Sequence, residues 1–189
     1  GQQVLSHACA ALAGWQRAGI GPEMLSVNLS AAELLTPGFV ASMSQTVLAS
    51  GVSSRHVCFE ISDRDLVAEP DQIIPVLDEI KRLGFLIALD DFGTSFASLI
   101  QLTRLPIDLL KIDGRLMRDA VAEPAMAALV RSTVSLCHEL SIPTVGEGIE
   151  TPEERRLAAD VGIGSIQGRG ISNALGLHDA TRWLGEGPR

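Results

Sequence analysis

Seven polar side chains stand at or near the ends of apolar runs in this chain, and their types suit one kind of chemistry. Asn28 lies near the end of residues 24–30, Glu60 lies in 57–61, and Asp90 with Asp91 follows 86–89. Lys111 sits inside 107–113, Glu147 falls between two glycines after Pro143, and Gln167 precedes Gly168. An apolar run bounded by turn residues fits a buried strand of a parallel sheet. Polar residues at the carboxyl ends of such strands occupy the positions where α/β folds and barrels place active sites. Four of the seven are carboxylates, and an oxygen set without thiolate or imidazole suits a hard cation, Mg²⁺ or Mn²⁺. Two such cations sharing a carboxylate serve in-line displacement at phosphorus. A lysine among them could orient the attacking water, or take its proton if the site depresses the amine.

Each residue also has a plainer role. Asn28 and Ser30 could cap the turn before Ala31. Glu60 could pair with a neighbouring cation, and Lys111 could be a buried counter-ion to Asp108 or Asp113. Glu147 and Gln167 could satisfy backbone groups in glycine-rich turns. Asp90-Asp91 could be an acidic β-turn. Adjacent side chains on a strand point to opposite faces, but where the strand stops both can turn into one pocket. All of these plainer roles must hold together for there to be no site.

The elements that would position these groups alternate. Helices are expected over 2–18, with Gly19 as the stop, over 39–50 closed by Gly51, and over 70–83 opened by Pro70 and closed by Gly84. Further helices are expected over 95–102, over 124–140, from the Thr151-Pro152-Glu153-Glu154 capping box to about Val161, and near 178–184. The strands are 24–30, 57–61, 86–89, 107–113, 143–148 and 164–168. Six strands alternating with helices imply right-handed βαβ units and a parallel sheet, two units short of a complete barrel.

With 189 residues, 46% hydrophobic and 20% charged, the chain reads as one well-cored globular domain. Fifteen basic against 23 acidic residues, a net charge of −8, argue against a nucleic-acid polymer or an anionic membrane as partner. An anionic ligand remains compatible where metal ions reverse the local field. Cys9, Cys58 and Cys137 lack C-x-x-C spacing and read as core residues in a reducing compartment. His7, His56, His138 and His178 are scattered, which disfavours a histidine-rich zinc site. With no signal peptide or spanning segment evident, a cytoplasmic location is expected.

Asn28-Leu29-Ser30, Glu60-Ile61-Ser62-Asp63, Asp90-Asp91-Phe92-Gly93-Thr94, Lys111-Ile112-Asp113, Glu147-Gly148-Ile149-Glu150 and Gln167-Gly168 together resemble the EAL domain, the bacterial cyclic-di-GMP phosphodiesterase family, over essentially the whole chain. The resemblance implies an α/β fold, a TIM-type (β/α) barrel, here with about six βα units in a single domain over 1–189. It implies hydrolysis of cyclic di-GMP to linear pGpG with two Mg²⁺ or Mn²⁺ ions. Asn28, Glu60 and Asp90 would then hold the first metal, with Asp90 bridging to a second held also by Asp91. Lys111 would hold or deprotonate the nucleophilic water, with Glu147 and Gln167 around the metals. Asp63, Gly93, Thr94, Ser95 and Glu150 would belong to the loop system that couples metal, substrate and dimer interface. A homodimer through the loop and helix after Asp91, and an upstream sensory or GGDEF-type domain in a parent protein, fit the same pattern.

Departures from the pattern carry their own expectations. The Glu-Ala-Leu strand and the strand after it are not found, so one metal-ligating glutamate and a substrate-holding arginine are missing. The chain is then expected to be a fragment or a shortened domain, with an underoccupied metal site and weak or no turnover as given. Ser62, Asp63, Ser95, Ala97, Arg169 and Ala174 also depart from the usual residues. A non-hydrolysing cyclic-di-GMP receptor is the alternative, and a barrel enzyme using Lys111 as a Schiff-base amine is a more distant one.

Overall fold

The computed structural model of the protein describes residues 1–94 and 102–186. Six strands form one sheet in chain order: β1 (Leu25–Leu29), β2 (Val57–Ser62), β3 (Leu86–Phe92), β4 (Leu109–Ile112), β5 (Thr144–Gly146) and β6 (Ser165–Ile166). The pairs β3/β4, β4/β5 and β5/β6 are parallel, as strands joined by crossover helices must be. All six expected strands are present. The helix expected over 95–102, with Ser95 and Ala97, falls almost wholly outside the described residues.

The chain divides into two compact units. The first comprises Gly1–Glu60, Glu69–Ile87 and Ala174–Arg189. Its helix α1 (Gln2–Ala18) buries Leu5, Cys9 and Leu12, spaced four and three residues apart on one face, and packs against another helix of the unit, 39–50. Gly19 ends α1 in the left-handed conformation at φ 71°, as the glycine stop anticipated. Short α2 (Ala31–Leu34) was not expected; Ser30 and Glu33 close a capping box at its start. Next come α3 (Phe39–Ser50), with Met43 and Val47 buried, and, beyond β2, a helix over 70–82 that buries Ile73, Leu77 and Ile80. Full burial of one such side chain contributes about 1.5–3 kcal/mol. The Phe59 and Phe85 rings meet at 5.3 Å between centroids, tilted by 56°.

Gly14 lies inside α1 with open space where a Cβ would stand. Gly14→Ala is therefore expected to stabilise the protein by about 0.5–1 kcal/mol, read from the urea midpoint.

The second unit comprises Ile61–Ala68 and Ala88–Asn173. It contains α4 (Asp63–Ala68), while α5 (Pro70–Arg82), the 70–82 helix above, belongs to the first unit. After β4 come α6 (Gly114–Ala122) and α7 (Pro124–Glu139), and after β5 comes α8 (Pro152–Val161). The terminal helix α9 (Leu177–Glu186) returns to the first unit, where Trp15 Nε1 donates to Thr181 Oγ1 at 2.8 Å. Helix α6 packs on both α7 and α8 and buries Leu116, Met117 and Ala120. Its N-cap is Asp113, so the Lys-Ile-Asp segment runs directly from strand into helix. Cys9, Cys58 and Cys137 are buried, as expected of core residues, and burial pushes the Cys137 thiol up to about 11. Among the described residues no helix is long and apolar enough to cross a membrane.

Candidate metal centre

The two aspartates share a site by a route the sequence did not indicate. Strand β3 does not stop at Asp90 but continues to Phe92. Its register with β4 runs Ala88–Leu109 and Leu89–Leu110, then slips so that Phe92 faces Ile112. One extra residue is accommodated there as a bulge, which breaks the alternation of faces. Asp91 carries the distortion at φ 56°, a left-handed conformation uncommon outside glycine. Carboxylate oxygens of Asp90, Asp91 and Glu147 consequently lie within 4.8 Å of one another. Burial raises the Asp91 pKa, and the charges of Asp90 and Asp113 raise it further. The cluster holds more negative charge than it balances comfortably, a condition that a cation relieves.

Lys111 stands against this cluster, with its side chain only 6% exposed. Its Nζ lies 3.0 Å from Asp90 Oδ1 and 2.6 Å from Glu147 Oε1. Register explains the second contact: Lys111 pairs with Val145 and Ile112 with Gly146 across β4/β5. Glu147 is the next residue, and its N–H donates to Ile112 O at 3.0 Å. Of the plainer partners proposed for the lysine, Asp113 has its carboxylate engaged by Arg115. Asp113 Oδ1 accepts the Arg115 backbone N–H at 2.7 Å and Nε at 3.1 Å. Burial works against charge on Asp113, but the Arg115 guanidinium and backbone N–H outweigh it and lower its pKa. Asp113 and Arg115 shape the Asp91 side of the site; the sequence offered Asp113 as a counter-ion to Lys111 and did not single out Arg115. The signal was available, because Asp-Gly before Leu116, Met117 and Ala120 is a helix start.

The remaining site residues fall as follows. Asn28 is exposed on β1, and the capping role considered for it belongs to Ser30. Glu60 is buried in β2. Both belong to the first unit, whereas Asp90, Asp91, Lys111 and Glu147 belong to the second. Asp63 is fully buried in the first turn of α4. Gly93, at φ 101°, follows the bulge, and Thr94 N–H donates to Asp91 O at 3.2 Å. Gln167 exposes its side chain and uses its backbone, donating to Gly146 O at 2.8 Å and accepting from Ile149 N–H at 3.0 Å. Glu150 Oε1 pairs with Arg169 Nη2 at 2.6 Å, so the arginine found after Gln-Gly has a local partner.

Glu154 secures the same loop from below. Its Oε2 accepts the N–H groups of Glu150 at 2.7 Å and Thr151 at 3.0 Å, completing the anticipated capping box. Burial opposes charge on Glu154, but these two N–H donors prevail and hold its carboxyl below the usual 4.5. A folded-state value below the unfolded one stabilises fully above about pH 4.5, and the gain disappears as pH falls through the folded value. Glu154→Gln is thus expected to lower the urea midpoint at pH 7, with the gap to wild type closing as acid is added.

The family model described as EAL domain matches residues 1–174. The chain belongs to the EAL domain family. It is 31% identical over 168 residues to the bifunctional diguanylate cyclase/cyclic di-GMP phosphodiesterase MucR of Pseudomonas aeruginosa, covering 89% of this chain and 24% of that protein. Among solved structures, the EAL domain of Mycobacterium smegmatis DcpA superposes with a TM-score of 0.92 at 29% identity, covering all of this chain and 85% of that one. A manganese/cy-diGMP complex of Klebsiella pneumoniae BlrP1 gives 0.83 at 31% identity, covering 91% and 43%. This EAL domain spans about a quarter of the length of the curated relatives it matches, 23% and 25% for the first two. The six parallel strands with intervening helices are the TIM-barrel-like architecture of EAL domains, as the resemblance implied.

Divalent metals belong to EAL chemistry, and the residues present fit one. The donors are hard oxygens, and buried Asp90 Oδ1 has the Lys111 ammonium 3.0 Å away. Their contact is ionic, and the oxygen keeps lone-pair directions for a cation.

Proposed function

We propose that this EAL domain binds cyclic di-GMP through divalent cations at the strand-end carboxylates and hydrolyses one phosphodiester bond to give linear pGpG, with weak turnover by the chain as given. The observation that carries the reading is the Lys111 ammonium held between Asp90 and Glu147, with Asp91 in the same cluster. Asp90 and Asp91 would hold Mg²⁺ or Mn²⁺, and the resemblance adds Asn28 and Glu60 to the ligand set. Bound cations would polarise the phosphoryl oxygens and supply hydroxide near neutral pH. Lys111 contributes a fixed positive charge and N–H donors that orient a water beside the phosphorus. Glu147 holds that ammonium in place, so its effect on turnover runs through Lys111. Gln167 and the loop residues Asp63, Gly93, Thr94, Ser95 and Glu150 are assigned to support of the site and of the substrate.

Two relatives support the substrate: MucR is a bifunctional diguanylate cyclase/cyclic di-GMP phosphodiesterase, and BlrP1 was solved with manganese and cy-diGMP. A cytoplasmic setting, a homodimer through the segment after Asp91 and an upstream sensory or GGDEF-type domain belong to the same proposal. The buried cysteines and the bifunctional character of MucR are consistent with it.

Incubation with cyclic di-GMP and Mn²⁺ or Mg²⁺, followed by chromatography, is expected to yield pGpG slowly, and none in EDTA. Saturable binding without product would replace the enzyme reading by a receptor. Absence of both binding and product would overturn the proposal.

A further inference from the structure

We propose that Gly114 is a positioning residue for Glu147: the first residue of α6 is kept without a side chain so that the loop after β5 can lie against it and aim Glu147 at Lys111. A Cβ built on Gly114 would stand 2.9 Å from Gly148 Cα and 3.1 Å from the Glu147 carbonyl oxygen. The contact is reciprocal, since a Cβ on Gly148 would stand 3.0 Å from Gly114 Cα. Both neighbours are backbone atoms, so no side-chain rotation can make room, and the loop itself would have to move.

The loop is gripped from its other side as well. A Cβ on Gly168 would fall 2.3 Å from the nitrogen and the oxygen of Ile149, and one on Gly170 would fall 2.8 Å from Ile149 O. Hydrogen bonds close the slot: Ile149 N–H donates to Gln167 O at 3.0 Å, and Gly170 N–H donates to Ile149 O at 2.9 Å. Glu147 N–H is tied to Ile112 O at 3.0 Å and Glu150 N–H to Glu154 Oε2 at 2.7 Å. Ile149 is fully buried between these walls. The segment has no slack on the β6 side, so pressure from a Cβ at Gly114 must be taken up at Glu147 and Gly148. The Glu147 side chain moves with that backbone, and its 2.6 Å contact with Lys111 is what changes.

Local propensity makes the opposite forecast. Gly114 opens α6 without a left-handed φ, and alanine is the better helix residue there. Gly114→Ala would on that ground be neutral or stabilising, which separates the two accounts.

The catalytic consequence rests on the phosphodiesterase reading; the structural claim does not. A double-mutant cycle on the full chain in EDTA tests the latter, using urea midpoints of wild type, Gly114→Ala, Glu147→Gln and the double variant. The shift caused by Glu147→Gln is expected to fall to about half or less in the Gly114→Ala background. Additive shifts, or no effect of Glu147→Gln in either background, would overturn the proposal. Should Gly114→Ala not fold, hydrogen exchange of the wild-type chain decides: the Glu147 and Ile149 amides are expected to exchange about as slowly as Leu110 in β4. Exchange at open-loop rates would contradict the slot. Where turnover is measurable, Gly114→Ala is expected to lower kcat up to about a hundredfold with KM little changed. An equal loss through KM alone would count against positioning of Glu147.

Discussion

Lys111→Ala is expected to reduce hydrolysis of cyclic di-GMP by at least about a hundredfold while leaving its binding in Ca²⁺ largely intact. Removing the ammonium takes away the donor that orients the water but leaves the carboxylate oxygens that hold cations. The same substitution should reveal a stability effect of a distinctive kind. Asp90 and Glu147, 17% and 15% exposed, would face each other without the positive charge now 3.0 and 2.6 Å from them. Loss of one partner from a buried ionic group costs about 3–5 kcal/mol, with the lower end expected here because both carboxylates retain some water contact. Divalent cation should restore part of this loss. The thermal shift produced by Mn²⁺ is therefore predicted to be larger for Lys111→Ala than for wild type, and equal shifts would argue that the cation binds elsewhere.

Asp90→Ala is expected to have the opposite profile. It leaves Lys111 paired with Glu147 at 2.6 Å, so the fold should survive with a modest change in urea midpoint. The cation, however, loses one carboxylate of the Asp90, Asp91 and Glu147 cluster, and Mn²⁺ affinity measured by calorimetry should fall by about a hundredfold or more. Turnover should disappear with it. Asp90→Asn retains an oxygen but not its charge and should lie between the two. A variant with wild-type Mn²⁺ affinity would remove Asp90 from the ligand set.

Much of this architecture was legible from local chemistry. The bounds of α3 are those read from the sequence, because Phe39–Ser50 ends at Gly51 with φ 76°. Helix α8 follows from Thr151-Pro152-Glu153-Glu154, whose capping box forms as written. Helices α2 and α4 were missed because they are only four and six residues long, too short to show a period. Helix α6 was missed for another reason: it begins one residue after a strand motif and ends against Pro124, so strand, helix and helix read as one irregular stretch.

The site was legible in its residue types but not in its geometry. Strand alternation places Asp90 and Asp91 on opposite faces, and only the bulge with Asp91 at φ 56° brings both carboxylates to one point. Nothing in the residues 86–92 announces that distortion, since aspartate pays for a left-handed conformation through tertiary context. Sequence proximity likewise suggested Asp113 as the partner of Lys111. The carboxylate of Asp113 serves instead as the cap of α6 and the anchor of Arg115, while Lys111 reaches Glu147 just past the end of the next strand, β5. Cross-strand register, which the sequence leaves implicit, made that difference.

The central claim is that Asp90, Asp91, Lys111 and Glu147 form a cation-dependent site for cyclic di-GMP. Isothermal titration of the chain with cyclic di-GMP, first in Ca²⁺ and then in EDTA, tests it most directly. Saturable binding in Ca²⁺ that vanishes in EDTA and in Asp90→Ala is the predicted result. Binding of equal strength in EDTA, or no binding in either, would contradict it.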